Sequence, residues 1–197
     1  YACTNELRGT SGLKRAGIGT FCHEYSHVLG LPDYYPTNGS GAFTPGAYEV
    51  MDHGSYNNEG NTPPNYSAFS RYSVGWLNPR VLSAAEDVTL NPVTTGEALM
   101  IRTDLDNEYY ILENRQRTGW DAYIPGHGML VWHVDFDKTI WINNQVNNTS
   151  SHQRIDLVEA DNVCTAETRA GDTFPGTSNV RRFTADTTPA MFAWSGY

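Results

Sequence analysis

The spacing of apolar residues in the first part of the chain predicts two helices separated by a long loop. Four apolar residues recur at helical spacing: Phe21, Tyr25, Val28 and Leu29. They predict a helix over residues 18–30, which Gly30 and the following Pro32 would end. A shorter packing helix is predicted over residues 66–75. Residues 36–62 are rich in glycine and proline without a sustained period, which predicts a structured loop.

The pattern changes to alternating apolar and polar positions after residue 79, and this alternation is typical of strands. Five strands are predicted: Val88–Val93, Ala98–Thr103, Tyr109–Asn114, Met129–Asp135 and Ile155–Ala160. Residues 143–151 are polar and predict a loop. The fold class predicted is therefore α+β, with a first unit over residues 1–78 and a β-rich, sandwich-like unit over residues 79–197.

The charge balance excludes one large class of partner. The 197 residues contain 13 Lys+Arg against 22 Asp+Glu, a net charge of -9, and such a surface repels phosphate backbones. We therefore expect no nucleic-acid partner. No apolar run is long enough for a membrane span, so none is expected in this chain. The sequence carries no signal about the oligomeric state.

The predicted first helix carries the pattern H-E-x-x-H as His23, Glu24 and His27. Two histidines four residues apart lie on one face of a helix, a turn apart, and can hold one metal ion. Glu24 lies beside them without being a ligand. It is predicted to act as the general base that takes a proton from a metal-bound water and passes it to the leaving amine.

A third metal ligand is expected just beyond the helix. Gly30 permits a left-handed turn that would bring Asp33 back towards the two histidines. This extends the pattern to H-E-x-x-H-x-x-G-x-x-D. His53 is the alternative third ligand, although a loop histidine is its simpler interpretation.

The extended pattern with a closing aspartate resembles the zinc metallopeptidases of the immune inhibitor A family, which are related to the metzincins. Residues 48–54 resemble the tight turn that carries a methionine beneath the metal in metzincins, and Met51 would be that methionine. The resemblance implies a zinc-dependent endopeptidase acting on protein or peptide substrates. It also implies a bacterial protein that is secreted or held at the cell surface.

This chain departs from the pattern of these peptidases in two respects. Many metzincins have a tyrosine two residues after the turn methionine, whereas this chain has His53; Tyr48 and Tyr56 are then the candidates for stabilising an oxyanion. Catalytic domains of this kind also have a sheet before the metal-binding helix, and only 22 residues precede His23. The alternative hypothesis is therefore a fragment that binds zinc but serves as a non-catalytic binding or structural module.

Two acidic residues of the β-rich unit are candidates for a second metal site. Asp161 and Asp172 are predicted to lie in loops, and loop carboxylates are the hard oxygen ligands that calcium prefers. Calcium is thus the second expected cofactor beside zinc. The alternative is that these carboxylates only cap turns.

Overall fold

The computed structural model describes residues 17–194, so parts of both predicted units, residues 1–16 and 195–197, lie outside the description. The helices are α1 (Gly19–Val28), α2 (Ala68–Ser73) and α3 (Lys138–Ile142). The strands are β1 (Arg80–Val81), β2 (Leu99–Arg102), β3 (Glu108–Arg115), β4 (Gly128–Asp135) and β5 (Ile155–Leu157). This mixture of helices and one sheet agrees with the predicted α+β class.

The five strands form one sheet in the order β1-β2-β3-β4-β5. The β1–β2 pair is parallel and the other three pairs are antiparallel. At its centre β3 pairs with β4 along their whole length, for example Ile111 opposite Trp132. Apolar clusters cover both faces of this pair, because Ile111 and Trp132 belong to one cluster and Tyr110 and Val131 to the other. The β3–β4 pair thus lies between the two apolar clusters of the described chain.

The larger apolar cluster crosses the predicted division between the two units. It joins Tyr34, Met51 and Phe69 from the first part of the chain to strand residues such as Ile111 and Trp132. The division at residues 78 and 79 therefore does not coincide with a break in the hydrophobic core. Residues 17–194 also hold a single five-stranded sheet, so the two facing sheets of the predicted sandwich are not seen in that range.

One predicted strand is wrong, and two short elements were not predicted. Residues 88–93 do not form a strand: pairing is limited to an isolated parallel bridge between Pro92 and Asn114, and a short 3-10 turn begins at Val93. The two-residue strand β1 and the five-residue helix α3 are too short to show a period. The strand predicted at residues 155–160 ends at Leu157.

Helix α1 forms where the apolar spacing predicts it, but the apolar residues do not face the core. Ile18, Phe21, Tyr25 and Val28 are 47%, 58%, 51% and 60% exposed, and the rings of Phe21 and Tyr25 stack at 5.9 Å. The buried side of the helix carries Gly19, His23 and Ser26 instead. The polar face of α1 is therefore the one that packs on the rest of the described chain.

Glycine allows α1 to start in close contact with a neighbouring turn. A methyl group on Gly19 would lie 1.8 Å from the backbone oxygen of Ser55, which belongs to the 3-10 turn His53–Tyr56. No side chain fits between these two segments. The close approach places the start of α1 directly against the loop that follows Met51. Between residues 17 and 194, α1 and the other helices are all too short or too polar to cross a bilayer.

Candidate metal centre

Three predicted ligands converge on one point at the end of α1. His23 Nε2 lies 3.0 Å and His27 Nε2 lies 3.4 Å from Asp33 Oδ1. The two imidazole rings are 5.0 Å apart and almost perpendicular. Gly30, at φ +98°, provides the left-handed turn that brings the chain back after the helix. Among residues 17–194 these three side chains are the group that could hold a metal ion, and His53 is not part of it.

Hydrogen bonds to backbone carbonyls orient both histidines. His23 Nδ1 lies 2.8 Å from the carbonyl oxygen of Val50, and His27 Nδ1 lies 2.8 Å from that of Leu31. A carbonyl can only accept, so Nδ1 carries the proton in each ring. In the neutral imidazole Nε2 then has a lone pair, and it is this atom that faces Asp33. Backbone acceptors of this kind are typical partners of metal-binding histidines.

This arrangement requires a cation between the three side chains. Asp33 is 6% exposed, and its Oδ1 is a buried oxygen without a hydrogen-bond partner when the histidines are neutral. Lone pairs of two nitrogens and one carboxylate oxygen would otherwise face each other at close range. Either a proton on an imidazole or a metal ion removes this repulsion. The donor set, two imidazole nitrogens and one carboxylate oxygen, fits a zinc ion.

The pKa shifts of the three groups have the same electrostatic origin. Burial raises the pKa of Asp33, but its contacts with His23 and His27 outweigh burial and hold that pKa below its ordinary value. Burial lowers the pKa of His23, and the contact with Asp33 more than offsets this, so the pKa is raised. For His27 the contact with Asp33 is the largest influence and raises the pKa. The site therefore favours positive charge.

Asn144 holds Asp33 in place, and no sequence motif indicated this residue. Its Nδ2 donates to Asp33 Oδ2 at 2.7 Å, and its Oδ1 accepts from the backbone N–H of Asp33 at 2.6 Å. These two bonds fix the carboxylate so that Oδ1 points at the histidines. The residue comes from the polar loop after α3, 111 positions away in sequence. No local spacing could have linked it to the motif.

The turn that contains Met51 is hydrogen-bonded both to His23 and to the segment that carries Asp33. The carbonyl of Val50 accepts the bond from His23, and that of Met51 accepts from the N–H of Tyr34 at 2.8 Å. Met51 itself is fully buried. The carboxylate of Glu49 accepts from the N–H groups of Val50 and Met51 at 2.9 and 3.4 Å. This turn thus fixes the position of His23 relative to the segment that follows Asp33.

An open cavity of about 450 Å³ lies beside His23. His23 and Glu24 form one wall, and residues 35–44 and 52–56 contribute the others. The ring of Tyr35 stacks on that of His23 at 6.2 Å. Burial and the nearby charge of Asp33 raise the pKa of Tyr35, so its hydroxyl stays protonated and can donate a hydrogen bond. The sequence did not single out Tyr35.

The two tyrosines proposed to stabilise an oxyanion lie in different environments. Tyr48 is fully buried and its hydroxyl donates to the backbone oxygen of Arg169 at 2.6 Å, so it is not available to a substrate. Tyr56 is 66% exposed and lines the cavity, as does His53. Asp161 and Asp172 do not belong to the histidine and aspartate cluster.

Comparison with known proteins gives one match. Residues 10–82 match the family model of the immune inhibitor A peptidase M6 catalytic domain. No curated protein and no solved structure matches the chain. The matched range contains the three converging side chains, Glu24 and Met51. Over residues 10–82 the chain is therefore similar to the immune inhibitor A family of M6 peptidases, the family that the extended motif resembles.

Proposed function

We propose that this chain carries the zinc centre of an endopeptidase of the immune inhibitor A type. His23, His27 and Asp33 would hold the ion. The observation that carries the proposal is that the two Nε2 atoms and Asp33 Oδ1 converge beside a cavity that Glu24 also lines. The match of residues 10–82 to a peptidase family supports a protein substrate.

A bound zinc ion lowers the pKa of a coordinated water towards neutrality and polarises a carbonyl group. Glu24 is half-buried in the wall of the cavity and is not a ligand. Its role in the proposal is to accept the proton of the attacking water and to deliver it to the leaving amine. Tyr35 lines the same cavity, and its hydroxyl, which lies near Asp33, is a candidate donor to the carbonyl oxygen of the substrate. Met51 supports the site from below through its turn.

The match to this family also supports a cellular location for the protein, and this location is part of the proposal. M6 peptidases of this type are secreted by bacteria, so we place the protein outside the cell or at its surface.

A second candidate function is a zinc-binding module that does not cleave peptide bonds by itself. The exposed apolar stripe of α1 favours it, because Phe21 and Val28 are 58% and 60% exposed on the helix that carries the ligands. A helix of a globular domain normally turns such a stripe towards the core. The two candidates share the metal site and differ in whether cleavage occurs.

The test combines zinc content with cleavage of a denatured protein. The purified chain is compared with Glu24→Gln, and with Glu97→Gln as a control for the same substitution at an exposed position. One equivalent of zinc in all three, with cleavage lost only in Glu24→Gln, is the expected result; general-base catalysis contributes about 10²–10⁴-fold. Zinc without cleavage in the unsubstituted chain would favour the second candidate. A chain without zinc would contradict both.

A further inference from the structure

One wall of the cavity, residues 35–44, has no regular structure, and few contacts hold its middle part. Residues 39–42 make no hydrogen bond with another segment among residues 17–194. Gly39 and Gly41 have open space beside them, because a methyl group added to either would have no atom within 4 Å. Gly39, Ser40 and Ala42 nevertheless line the cavity. The position of this part of the wall is therefore set by the residues on either side of it.

Side-chain amides of the loop after α3 hold both ends of the wall. Asn148 Oδ1 accepts from the backbone N–H of Thr37 at 2.7 Å and from that of Asn38 at 3.3 Å. Asn148 Nδ2 donates to Thr37 Oγ1 at 3.1 Å. At the other end, Gln153 Nε2 donates to the backbone oxygen of Phe43 at 2.7 Å. The side chain of Asn148 thus makes three bonds at the end of the wall that follows the metal ligands.

The loop that carries these amides is itself tied to the sheet. Asn147 is fully buried, and its Nδ2 donates to the backbone oxygens of Tyr34 and Ile155 at 2.7 and 2.8 Å. Its Oδ1 accepts from the backbone N–H groups of Arg154 and Ile155 at 2.9 and 3.2 Å. Ile155 is the first residue of β5. Asn148, the next residue after Asn147, therefore extends from a backbone that is fixed to strand β5.

Two asparagines of this loop act on different parts of the site. The side chain of Asn144 bonds to Asp33, a proposed metal ligand, whereas that of Asn148 bonds to residues 37 and 38 of the wall. Asn144 also contacts the wall, but only through its backbone oxygen, which accepts from Thr37 Oγ1 at 2.8 Å. Truncation of either side chain should therefore leave the bonds of the other in place.

We propose that Asn148 is a positioning residue for the peptide substrate, because it holds residues 37–42 as a preformed wall of the cavity. This inference rests on the proposed peptidase function and adds a residue that determines substrate binding without contacting the metal. A segment that is already ordered loses little conformational freedom when a ligand binds, so its order increases the affinity. Asn148 acts through the wall and contacts no reacting atom.

The first test measures the order of the wall and requires neither zinc nor cleavage by the chain. Elastase, which cleaves beside small side chains, is added to the zinc-free chain, and nicking within residues 39–42 is followed by mass spectrometry. Nicking should be at least about tenfold faster in Asn148→Ala, because three hydrogen bonds that restrain the wall are lost. Asn143→Ala, an exposed asparagine of the same loop, is the control. Equal rates in all three chains would overturn the inference.

The second test measures binding to the zinc-loaded Glu24→Gln chain, which should not cleave a bound peptide. Acetohydroxamate is small enough to bind at the metal alone, whereas trileucine hydroxamate also extends into the cavity. Adding Asn148→Ala should weaken trileucine hydroxamate about tenfold and leave acetohydroxamate unchanged. Asn148→Asp keeps the acceptor for Thr37 and Asn38, so it should restore most of the affinity. An equal loss for both probes, or no loss for either, would overturn the substrate role.

Failure of the proposed function gives a different result. An unsubstituted chain that binds neither hydroxamate, although Asn148→Ala still accelerates nicking, would contradict the zinc centre and with it the substrate role. Normal binding of acetohydroxamate with equal nicking in all chains would contradict only the role of Asn148.

Discussion

Two buried polar clusters lie on the same sheet-centred core, and they differ in how completely their atoms are paired. Around Arg115 every N–H of the guanidinium has an acceptor. Its Nε and Nη2 bind the carboxylate of Asp121, Nη1 binds Glu113 and the carbonyl of Tyr48, and Nη2 also binds the carbonyl of Asn65. Trp132 Nε1 and the N–H of Ala68 satisfy Glu113 at 3.0 and 2.7 Å.

In the cluster of His23, His27 and Asp33, by contrast, the atoms that face one another are not paired by hydrogen bonds. Three acceptor atoms point at one another, and the hydrogen bonds that do exist, to Val50, Leu31 and Asn144, lie on the outer side of each group. A saturated cluster, in which every polar atom has a hydrogen-bond partner, stabilises the fold. A cluster whose unpaired acceptor atoms converge can accept a cation between them. The pairing of atoms distinguishes the two, since both clusters are charged and buried.

The largest effect on stability is expected from Arg115→Met, which removes the centre of the saturated cluster. Glu113 and Asp121 would remain buried without their counter-charge, and breaking a buried ion pair costs about 3–5 kcal/mol. Urea unfolding of the zinc-free chain measures the change. The matched control is Arg181→Met on the exposed surface. A loss below 1 kcal/mol would show that saturation is not what stabilises this region.

Removal of the metal should be the next largest effect. With free zinc at 100 times its dissociation constant, binding stabilises the folded chain by about 2.7 kcal/mol, and a chelator should remove this. The Asp33→Asn variant, with its third ligand weakened, should respond much less to the same chelator. Thermal unfolding with and without zinc provides the measurement. If the two chains respond equally, Asp33 is not a ligand.

A smaller effect is expected from Asn144→Ala, which leaves all three ligands intact. The variant loses both bonds that orient Asp33, and loss of such supporting bonds typically lowers metal affinity about 10–100-fold. Competition with a zinc chelator dye measures the affinity. Asn162→Ala, an exposed loop asparagine, is the control. Unchanged affinity in Asn144→Ala would mean that the backbone alone positions Asp33.

The smallest effect on stability is expected from the pair of Glu108 and His133, in which not every polar atom has a hydrogen-bond partner. His133 Nε2 lies 2.7 Å from Glu108 Oε1, while Glu108 Oε2 has no partner among the described residues. Burial lowers the pKa of His133, against the opposing influence of Glu108 and Asp135; His152 lowers it further. Folding therefore favours the neutral ring.

Because the folded pKa is below the unfolded one, this contribution is complete above about pH 6.5 and is lost as the pH falls below that value. His133→Gln keeps a donor for Glu108 but cannot titrate. The difference in unfolding free energy between the two chains should change between pH 7.5 and pH 5.5, with the unsubstituted chain losing more. A constant difference over this range would count against a neutral His133.

The predicted side chains that the structure brings together are local in sequence. His23, His27 and Asp33 are brought together by one helix and one glycine turn, and the geometry of both follows from the residues between them. Asn144 and Tyr35 were missed for different reasons. Asn144 reaches the site through tertiary folding, and Tyr35 has no motif of its own.

For the fold, too, features set by neighbouring residues were predicted better than features set by contacts between distant residues. The central strands β2, β3 and β4 were predicted nearly in full, since they are short runs rich in apolar, β-branched and aromatic residues bounded by turn residues. The apolar spacing of α1 identified a helix but not its buried side, because spacing alone does not reveal which face the rest of the chain covers. Here the covered face is set by His23 and Ser26, whose hydroxyl contacts Tyr66 at 2.6 Å.

The bond between Asn144 and Asp33 also indicates at which stage of folding the site is completed. During synthesis the histidines and the aspartate leave the ribosome long before Asn144 does, because 111 positions separate the two ends of that bond. Contacts between distant residues form late in folding, after the intervening loops have closed. The three side chains can thus approach one another early, and Asp33 is held in its final orientation only when the loop after α3 has docked. In the proposed zinc centre, tight metal binding would then mark a chain that has finished folding.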